Sequence, residues 1–100
     1  MSATRVSRRS GTTFGNLNIL QNDFFIITTT GAATATLPNG YEGQRIYILL
    51  VVDGGDLVVT GDFETGTTAT FADAKDALEL LWISDFGWQT ISNQGVVTFA

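Results

Sequence analysis

The chain has 100 residues, of which 44% are hydrophobic and only 15% are charged, and it contains neither cysteine nor histidine. A chain of this length forms one domain with a small core. The missing residue types exclude disulfides and thiolate metal sites, and they remove the commonest general base and the commonest transition-metal ligand. Soluble domains usually carry about 25% charged residues, so we expect a partner to complete this surface, and self-association is the simplest source of one.

Charge is divided unevenly along the chain. Residues 1–10 carry Arg5, Arg8 and Arg9 and no acid, a formal charge of +3, whereas residues 11–100 carry two cations against ten acids, a formal charge of −8. A basic segment on an acidic body suggests that the two parts contact different surfaces. The acidic body disfavours nucleic acid as a partner. A loose, solvated tail is the alternative interpretation of the basic segment.

The first fifteen residues are predicted to form an extended arm, and residues 16–100 a β domain. Serine, threonine, arginine and glycine dominate the arm, which is typical of a segment without a core of its own. An arm of this kind can pair with an exposed sheet edge on another chain through main-chain hydrogen bonds. The residues expected to make that contact are Arg5, Val6, Arg8, Arg9 and Phe14.

The next segments predict short strands joined by turns. A strand is expected over 16–20 and another over 24–30, where β-branched and aromatic residues are concentrated. The only proline, Pro38, precedes Asn39-Gly40, a pair that tolerates positive φ and predicts a turn. The loop from Pro38 to Gly43 leads into the longest apolar run of the chain.

That run, Gln44–Val52, is apolar on both of its alternating faces. Burial on both faces is expected for such a strand, and in a domain this small the second face is predicted to pack against a neighbouring subunit. The following Asp53-Gly-Gly-Asp56 is predicted to close a hairpin with the strand Leu57–Thr60. The same two glycines precede a strand and not a helix, which excludes a phosphate-binding loop.

A second hairpin is predicted about thirty residues later, with strands over 77–84 and 88–92 and a turn at Asp85-Phe-Gly87. Its elements follow the same order as those of the first hairpin, so the two halves are expected to share one architecture. A threonine-rich strand over 67–71 precedes it and a last strand over 96–99 follows it. A helix over 72–81 is the competing prediction, because alanine, lysine, leucine and glutamate favour helices.

The fold predicted from these elements is all-β: a small antiparallel sandwich or barrel-like domain of hairpins, with an extended N-terminal arm, assembled as a trimer. The apolar residues of the two long hairpins are predicted to form the oligomer interface. They are Ile46, Ile48, Leu50, Leu80, Trp82 and Trp88. No apolar run reaches the roughly 18 residues that a membrane-spanning helix requires, so no membrane partner is expected.

No catalytic, metal-binding or cofactor-binding residues are predicted. Asp53 and Asp56 could contribute to a calcium loop, but they lack the spacing of an EF-hand, and a paired-carboxylate site at Asp62 and Glu64 has no apolar surroundings to raise a pKa. Serine and threonine nucleophiles have no histidine to activate them. The chain is therefore not expected to be an enzyme. A carbohydrate-binding module is a further alternative, in which Trp88 or Tyr41 would contact the sugar.

The order of several short motifs resembles that of a known family. Ala35-Thr-Leu-Pro-Asn-Gly-Tyr-Glu-Gly-Gln44 is followed by the apolar strand, Asp53-Gly-Gly55, Val58-Val-Thr-Gly61, the threonine-rich strand, Leu80-Leu-Trp82, Trp88 and Ser92-Asn-Gln-Gly-Val96. From about Gly31 to Val97, this order resembles a small β domain of tailed-bacteriophage virion proteins. Domains of this kind are similar to trimeric β modules of capsid decoration proteins and of fibres or spikes.

The resemblance implies two candidate functions. A decoration, or cement, protein would sit on the outer capsid surface as a homotrimer and join neighbouring capsomers, with the major capsid protein as its partner. A tail-fibre, head-fibre or spike module would instead project from the virion and take part in host attachment. Either protein would be made in the host cytoplasm and end in the virion. The short domain with one arm favours the decoration protein.

Overall fold

The computed structural model describes residues 5–100, and within that range it contains strands and no helix. The predicted all-β class is therefore confirmed, and the competing helix over 72–81 is wrong. The strands are β1 (Arg5–Asn16), β2 (Asp23–Thr36), β3 (Arg45–Val52), β4 (Leu57–Phe63), β5 (Gly66–Phe71), β6 (Ala77–Ile83), β7 (Gly87–Gln94) and β8 (Val97–Phe99).

Five of these strands close into a barrel. The sheet runs in the order β1-β2-β3-β6-β7-β4-β5-β8, and β4 pairs with β2 as well, so that β2, β3, β6, β7 and β4 form a closed ring. β1 lies outside the ring on β2, while β5 and β8 extend it on the side of β4. Of the two architectures expected from the sequence, the structure has the barrel.

The longest strand, β2, pairs with two successive strands. Its first half, Asp23–Thr28, runs parallel to β3, and its second half, Ala33–Thr36, runs parallel to the first residues of β4. β3 and β4 therefore follow one another along β2 in the same direction. This arrangement brings segments that are distant in sequence into one ring.

The predicted hairpin between β3 and β4 is wrong. The two strands do not pair with each other, and Asp53–Asp56 continues along β2 without reversing the chain. Neither Gly54 nor Gly55 has a positive φ, which the common two-residue hairpin turns require. The glycines are needed for another reason, because a Cβ atom on either one would overlap the backbone of β2 at Thr29 or Gly31.

A buried threonine holds this loop against β2. The Thr29 side chain is 1% exposed, and its hydroxyl oxygen accepts hydrogen bonds from the Gly54 N–H (2.9 Å) and the Gly55 N–H (3.2 Å). The same hydroxyl lies 2.7 Å from the Gly55 carbonyl oxygen, to which it donates. A buried hydroxyl with all of its partners satisfied fixes the loop where β2 passes from β3 to β4.

The second predicted hairpin is confirmed. β6 and β7 are antiparallel neighbours, with Trp82 opposite Trp88 and Ile83 opposite Gly87. Gly87 has a φ of 86°, a conformation that glycine adopts without strain. The two halves of the chain therefore share an order of motifs but not a topology, since the first break continues the strand direction and the second reverses it.

The sheet is mixed and not purely antiparallel as predicted. The pairs β1–β2, β2–β3, β2–β4 and β4–β7 are parallel, whereas β3–β6, β6–β7, β4–β5 and β5–β8 are antiparallel. Parallel pairing joins strands through connections that are not tight turns. Local turn signals in the sequence predict only the hairpins.

Alternating side chains of the ring fill the barrel interior. β2 places Phe25 and Ile27 inside, and the other strands contribute one apolar residue in two, as expected for a sheet with one buried face. The largest fully buried side chain is Trp88, which packs edge to face against Trp82 with ring centroids 5.2 Å apart. The Trp88 indole N–H donates to the Pro38 carbonyl oxygen at 3.1 Å, so the indole ties the β2–β3 loop to the core.

The turn between β5 and β6 contains a residue with an unfavourable backbone conformation. Lys75 has a φ of 76° and donates its N–H to the Leu50 carbonyl oxygen at 2.6 Å. The buried Asp76 carboxylate accepts the N–H groups of Ala72, Asp73 and Val96, at 3.2, 3.2 and 3.1 Å. These bonds hold the turn in place and with it the left-handed Lys75.

We expect Lys75→Gly to stabilise the fold. The left-handed conformation costs a non-glycine residue about 1–2 kcal/mol, and glycine loses about 0.5–1 kcal/mol more backbone entropy on folding, so the net gain lies in the range of about 0–1.5 kcal/mol. Urea unfolding measures the difference. Lys75→Ala is the control, because it removes the same charge and keeps the strain. If the glycine variant is no more stable than the alanine variant, the strain at Lys75 is not real.

Candidate interaction surfaces

Strand β1 is an open edge of the sheet. Among residues 5–100 its only neighbour is β2, and its side chains alternate between half-buried and exposed without any being fully buried. The predicted arm therefore lies, from Arg5 onward, along the barrel of its own chain. The part of the arm prediction that concerns residues 1–4 lies outside the described residues, and the division into a 1–15 arm and a 16–100 domain stays a prediction.

Arg5 fastens the beginning of β1 to the barrel. Its Nε donates to Asp23 Oδ1 at 2.6 Å, and its Nη2 donates to the Asn18 carbonyl oxygen at 2.6 Å. Asp23 is 1% exposed, and its second carboxylate oxygen accepts the N–H groups of Leu20 and Gln21. A buried carboxylate needs this set of donors to offset its lost hydration. Arg5 is therefore engaged within its own chain.

Arg8 and Arg9 differ from Arg5. The ion pairs formed within residues 5–100 are Arg5–Asp23 and Arg45–Glu79, so neither Arg8 nor Arg9 has a carboxylate partner there. Arg8 is exposed and Arg9 is half-buried, on alternate faces of β1, and Val6 is 63% exposed. The edge thus presents two guanidinium groups and one apolar side chain to solvent.

Phe14 is not part of this solvent-exposed edge. It is half-buried and packs against the hydrophobic core. The four other residues assigned to the arm lie in the regular first part of β1, whereas Phe14 follows a break in the β1–β2 register. The structure therefore separates Phe14 from the residues with which the sequence analysis grouped it.

The residues predicted for the oligomer interface lie in the core of the single chain, which corrects their assignment. Each is at most 6% exposed, so none can contact a neighbouring subunit. The prediction took the wrong face, since the same strands present a second, partly exposed face outward. The residues reassigned from the interface to the core are Ile46, Ile48, Leu50, Leu80, Trp82 and Trp88.

The outer face of β2, β3 and β6 carries a cluster of half-buried apolar side chains. Phe24 and Tyr47 are cross-strand partners whose rings stack with centroids 5.1 Å apart. Ile26 and Leu49 form the next cross-strand pair on the same face, and Leu81 lies opposite Arg45. These side chains are half-buried in the single chain. Residues 24–27 are all apolar, so the sequence gives no signal there that separates this outer face from the inner one.

A buried acid lies at the centre of the outer face. Glu79 is 8% exposed, accepts the Tyr47 hydroxyl at 3.0 Å and pairs with the Arg45 guanidinium at 3.3 Å. The hydrogen bond from Tyr47 to Glu79 raises the pKa of the Tyr47 phenol, and burial and the negative charge of Glu79 act in the same direction. The phenol therefore holds its proton more tightly in the folded state, where it donates a hydrogen bond to Glu79.

The raised pKa of Tyr47 predicts how stability changes with pH. The folded state binds the phenolic proton more tightly than the unfolded state, so this contribution is complete below the ordinary tyrosine pKa of about 10 and is lost as pH rises through the folded pKa. We expect Glu79→Gln to lower the pKa of Tyr47, measured by phenolate absorbance against a Tyr47→Phe variant. Glu64→Gln, at an exposed site, is the control. An unchanged titration in Glu79→Gln contradicts the pairing.

Three exposed hydrophobic side chains lie in loops at one end of the barrel. Leu20, Tyr41 and Phe86 are 61%, 55% and 69% exposed. Hydrogen bonds connect their loops, because Gln44 Nε2 donates to the Gln21 carbonyl oxygen at 2.7 Å and the Ser84 N–H donates to Glu42 Oε1 at 2.9 Å. The sequence analysis singled out only Tyr41, because isolated apolar residues in polar loops give no periodic signal.

The acidic pairs and the tryptophan considered in the sequence analysis have structural positions as well. Asp53 and Asp56 are exposed beside the glycines that approach β2, and Asp62 and Glu64 are exposed near the β4–β5 turn. Within residues 5–100 no group of three or more acidic, histidine or cysteine residues could hold a metal ion. Trp88 is fully buried, so it cannot stack on a sugar, and that part of the carbohydrate alternative is wrong.

None of residues 5–100 lies in a helix long and apolar enough to cross a membrane. No protein-family model matches the chain, and no curated protein matches it either.

Proposed function

We propose that the chain is a decoration, or cement, protein of a tailed bacteriophage, which binds the outer capsid surface and joins neighbouring capsomers. The observation that carries the proposal is the open β1 edge with Arg8 and Arg9, which form no ion pair within residues 5–100, on a body whose residues 11–100 have a formal charge of −8. The resemblance of Gly31–Val97 to small β domains of phage virion proteins supports the same function.

In the proposed mechanism, the outer edge of β1 adds to a strand of the major capsid protein. Backbone hydrogen bonds along the edge supply affinity, and Arg8 and Arg9 pair with capsid carboxylates. Each exposed ion pair contributes about 0–1 kcal/mol. The capsid is therefore held mainly by strand pairing and by several copies acting together, because linked binding sites raise the overall affinity without new contacts.

The proposed oligomer is a homotrimer that forms through the outer face. This face carries the stacked Phe24 and Tyr47 together with Ile26, Leu49 and Leu81, and covering it buries apolar area that the single chain leaves partly in water. It replaces the core residues that the sequence analysis assigned to the interface. The chain acts in the virion, on the capsid surface, and the proposal includes no catalytic step.

A truncation tests the role of β1. Deleting residues 2–13 leaves the five-stranded ring intact, since β1 lies outside it, so we expect a folded barrel that no longer binds capsids. The measurement is co-sedimentation with particles that lack the protein, together with circular dichroism of the variant. Normal decoration by the truncated chain means that the β1 edge is not the contact.

A charge variant separates the contribution of the arginine side chains to capsid binding from that of backbone strand pairing. We expect Arg8→Ser/Arg9→Ser to keep its fold and to bind capsids at least tenfold more weakly, because small losses at each pair add up over the copies of one oligomer. Lys75→Ser, which removes a cation from the β5–β6 turn, is the matched control and should bind normally. Equal weakening in both variants would point to net charge and not to the edge.

A fibre or spike module is the second candidate, and the loop end of the barrel favours it. Leu20, Tyr41 and Phe86 form an exposed apolar set on loops held together by hydrogen bonds, as an adhesive tip would require. Under this alternative, Phe86→Ser and Tyr41→Ser abolish attachment to host cells and leave particle stability unchanged. Under the cement proposal, the same variants attach normally.

A further inference from the structure

The first part of β1 is an addition to a barrel that is already complete. The ring closes through β2, β3, β6, β7 and β4, without β1. β1 contributes no fully buried side chain, and its first six residues include three arginines and two serines. Removing such a segment from β2 exposes little apolar surface, so the hydrophobic effect holds it only weakly.

A break in the β1–β2 register follows this segment. Arg5–Gly11 pairs in register with residues 23–29 of β2, and the register then shifts between Gly11 and Thr13 and again between Thr13 and Gly15. Gly11 and Gly15 have φ values of 140° and 62°, and a Cβ atom on either one would meet nothing within 4 Å. Residues 11–13 therefore form a hinge that begins at an unhindered glycine and ends before Phe14.

The chain is anchored again directly after the hinge. Phe14 packs against the core, and Leu17 is 1% exposed with its N–H donated to the Thr36 carbonyl oxygen at 2.8 Å. Movement at the hinge thus leaves the barrel undisturbed. Three extended residues span up to about 10 Å, about twice the spacing of neighbouring strands, so the segment can leave its own β2 and pair with the β2 of an adjoining molecule.

The partner that fits a vacated β2 edge is a second copy of this chain. The edge is already complementary to the segment, through the backbone ladder and through Asp23, which accepts Arg5. The same atoms can make these contacts when the segment comes from another copy, and a basic segment is attracted to the acidic body of that copy. Exchange of an identical element between copies therefore costs little.

We propose that Arg5–Ser10 exchanges between copies, so that the segment of one molecule occupies the β2 edge of the next, with residues 11–13 as the hinge. The exchange links the oligomer through backbone hydrogen bonds and leaves the outer edge of β1, with Arg8 and Arg9, open. It goes beyond the proposed function and does not depend on it. Each copy both gives and receives a strand, an arrangement that forms a ring when the rotation between successive copies closes.

Cysteine cross-linking tests the exchange, because the chain has no cysteine of its own. Ser10 and Thr28 are Cα partners across β1 and β2, and paired strands are close enough for a disulfide. Chains carrying only Ser10→Cys and chains carrying only Thr28→Cys are refolded together and oxidised. We expect a two-chain disulfide on a non-reducing gel, formed between the two different variants.

The matched control uses Thr70→Cys and Thr98→Cys, at Cα partners of β5 and β8 that stay within one chain. Their mixture should give no two-chain product, whereas the Thr70→Cys/Thr98→Cys double variant should form its disulfide internally. The proposal is overturned if Ser10→Cys/Thr28→Cys forms only an internal disulfide and the single variants do not cross-link. It is also overturned if neither experiment gives a disulfide, since Ser10 and Thr28 are then not partners.

These outcomes are independent of the capsid. A positive cross-link together with particles that carry no copies of the chain supports the exchange and rejects the decoration function. The absence of a cross-link in a chain that decorates particles normally does the reverse.

Discussion

Trp88→Ala is expected to destabilise the fold by about 3–5 kcal/mol, the range measured for removing a large buried aromatic side chain. Trp88 is fully buried, packs edge to face on Trp82 and donates its indole N–H to the Pro38 carbonyl oxygen. The variant loses all three interactions and leaves a cavity at the junction of β7 and the β2–β3 loop. Domains of this size have a total stability of roughly 5–15 kcal/mol, so much of the chain could unfold. Urea unfolding of the purified protein measures the loss.

Phe86→Ala is the control for this prediction, because Phe86 is an aromatic residue of the same hairpin that is 69% exposed. A surface change of this kind alters stability by no more than about 0.5 kcal/mol. If the two variants have similar unfolding midpoints, Trp88 does not lie inside the barrel and the assignment of the core is wrong.

Gly55→Ala is expected to cost about 3 kcal/mol or more, at the upper end of what overpacking costs. A Cβ atom at Gly55 would overlap the carbonyl carbon of Gly31 and the backbone nitrogen of Ala32. These are backbone atoms of β2 and cannot rotate away, so β2 or the loop must move and the bonds of Thr29 to the loop are strained. Thermal or urea unfolding gives the magnitude.

Gly31→Ala separates this effect from a general effect of glycine replacement. A Cβ atom at Gly31 would make only an ordinary contact, 3.4 Å from Thr12 Cγ2. Loss of flexibility in the unfolded chain then gives a change between zero and about 1 kcal/mol of stabilisation. A tolerated Gly55→Ala would contradict the parallel course of β3, the loop and β4 along β2, and would restore the hairpin prediction.

The contrast between the two glycine breaks shows what the sequence could predict. Asp85-Phe-Gly87 reverses the chain between strands that pair with each other, so the local signal and the fold agree. Asp53-Gly-Gly-Asp56 also combines aspartate with glycine, yet it connects two strands that each pair with β2. The sequence does not show whether a glycine allows a close backbone approach or a turn. Only the long-range strand pairing distinguishes the two roles.

The sequence also did not predict which face of a strand is buried. The period of two in β3 correctly indicates two apolar faces, but it does not say which face lies inside. Ile46, Ile48 and Leu50 fill the barrel, whereas Tyr47 and Leu49 lie on the outer face with Phe24. Curvature into a closed ring decides between the faces, and that curvature depends on parallel contacts of β2 that no local pattern encodes.

For the candidate surfaces, the amino-acid composition of a segment predicted its character, but the sequence did not predict which residues contact each other. The excess of arginine in the first ten residues identified the basic segment, and Arg8 and Arg9 do lie exposed or half-buried on an open edge. The ion pair between Arg5 and the buried Asp23 was not predictable, because it joins residues from strands whose parallel pairing has no signal in the sequence. The same holds for Glu79, which the fold brings beside Tyr47.

The number of copies of the chain in each virion tests the central proposal most directly. Quantitative mass spectrometry of purified particles of the encoding phage would count the chain against the major capsid protein. A cement protein at every capsomer junction predicts a copy number comparable to that of the major capsid protein. A few copies per particle, as a tail or vertex component would have, would contradict capsid decoration.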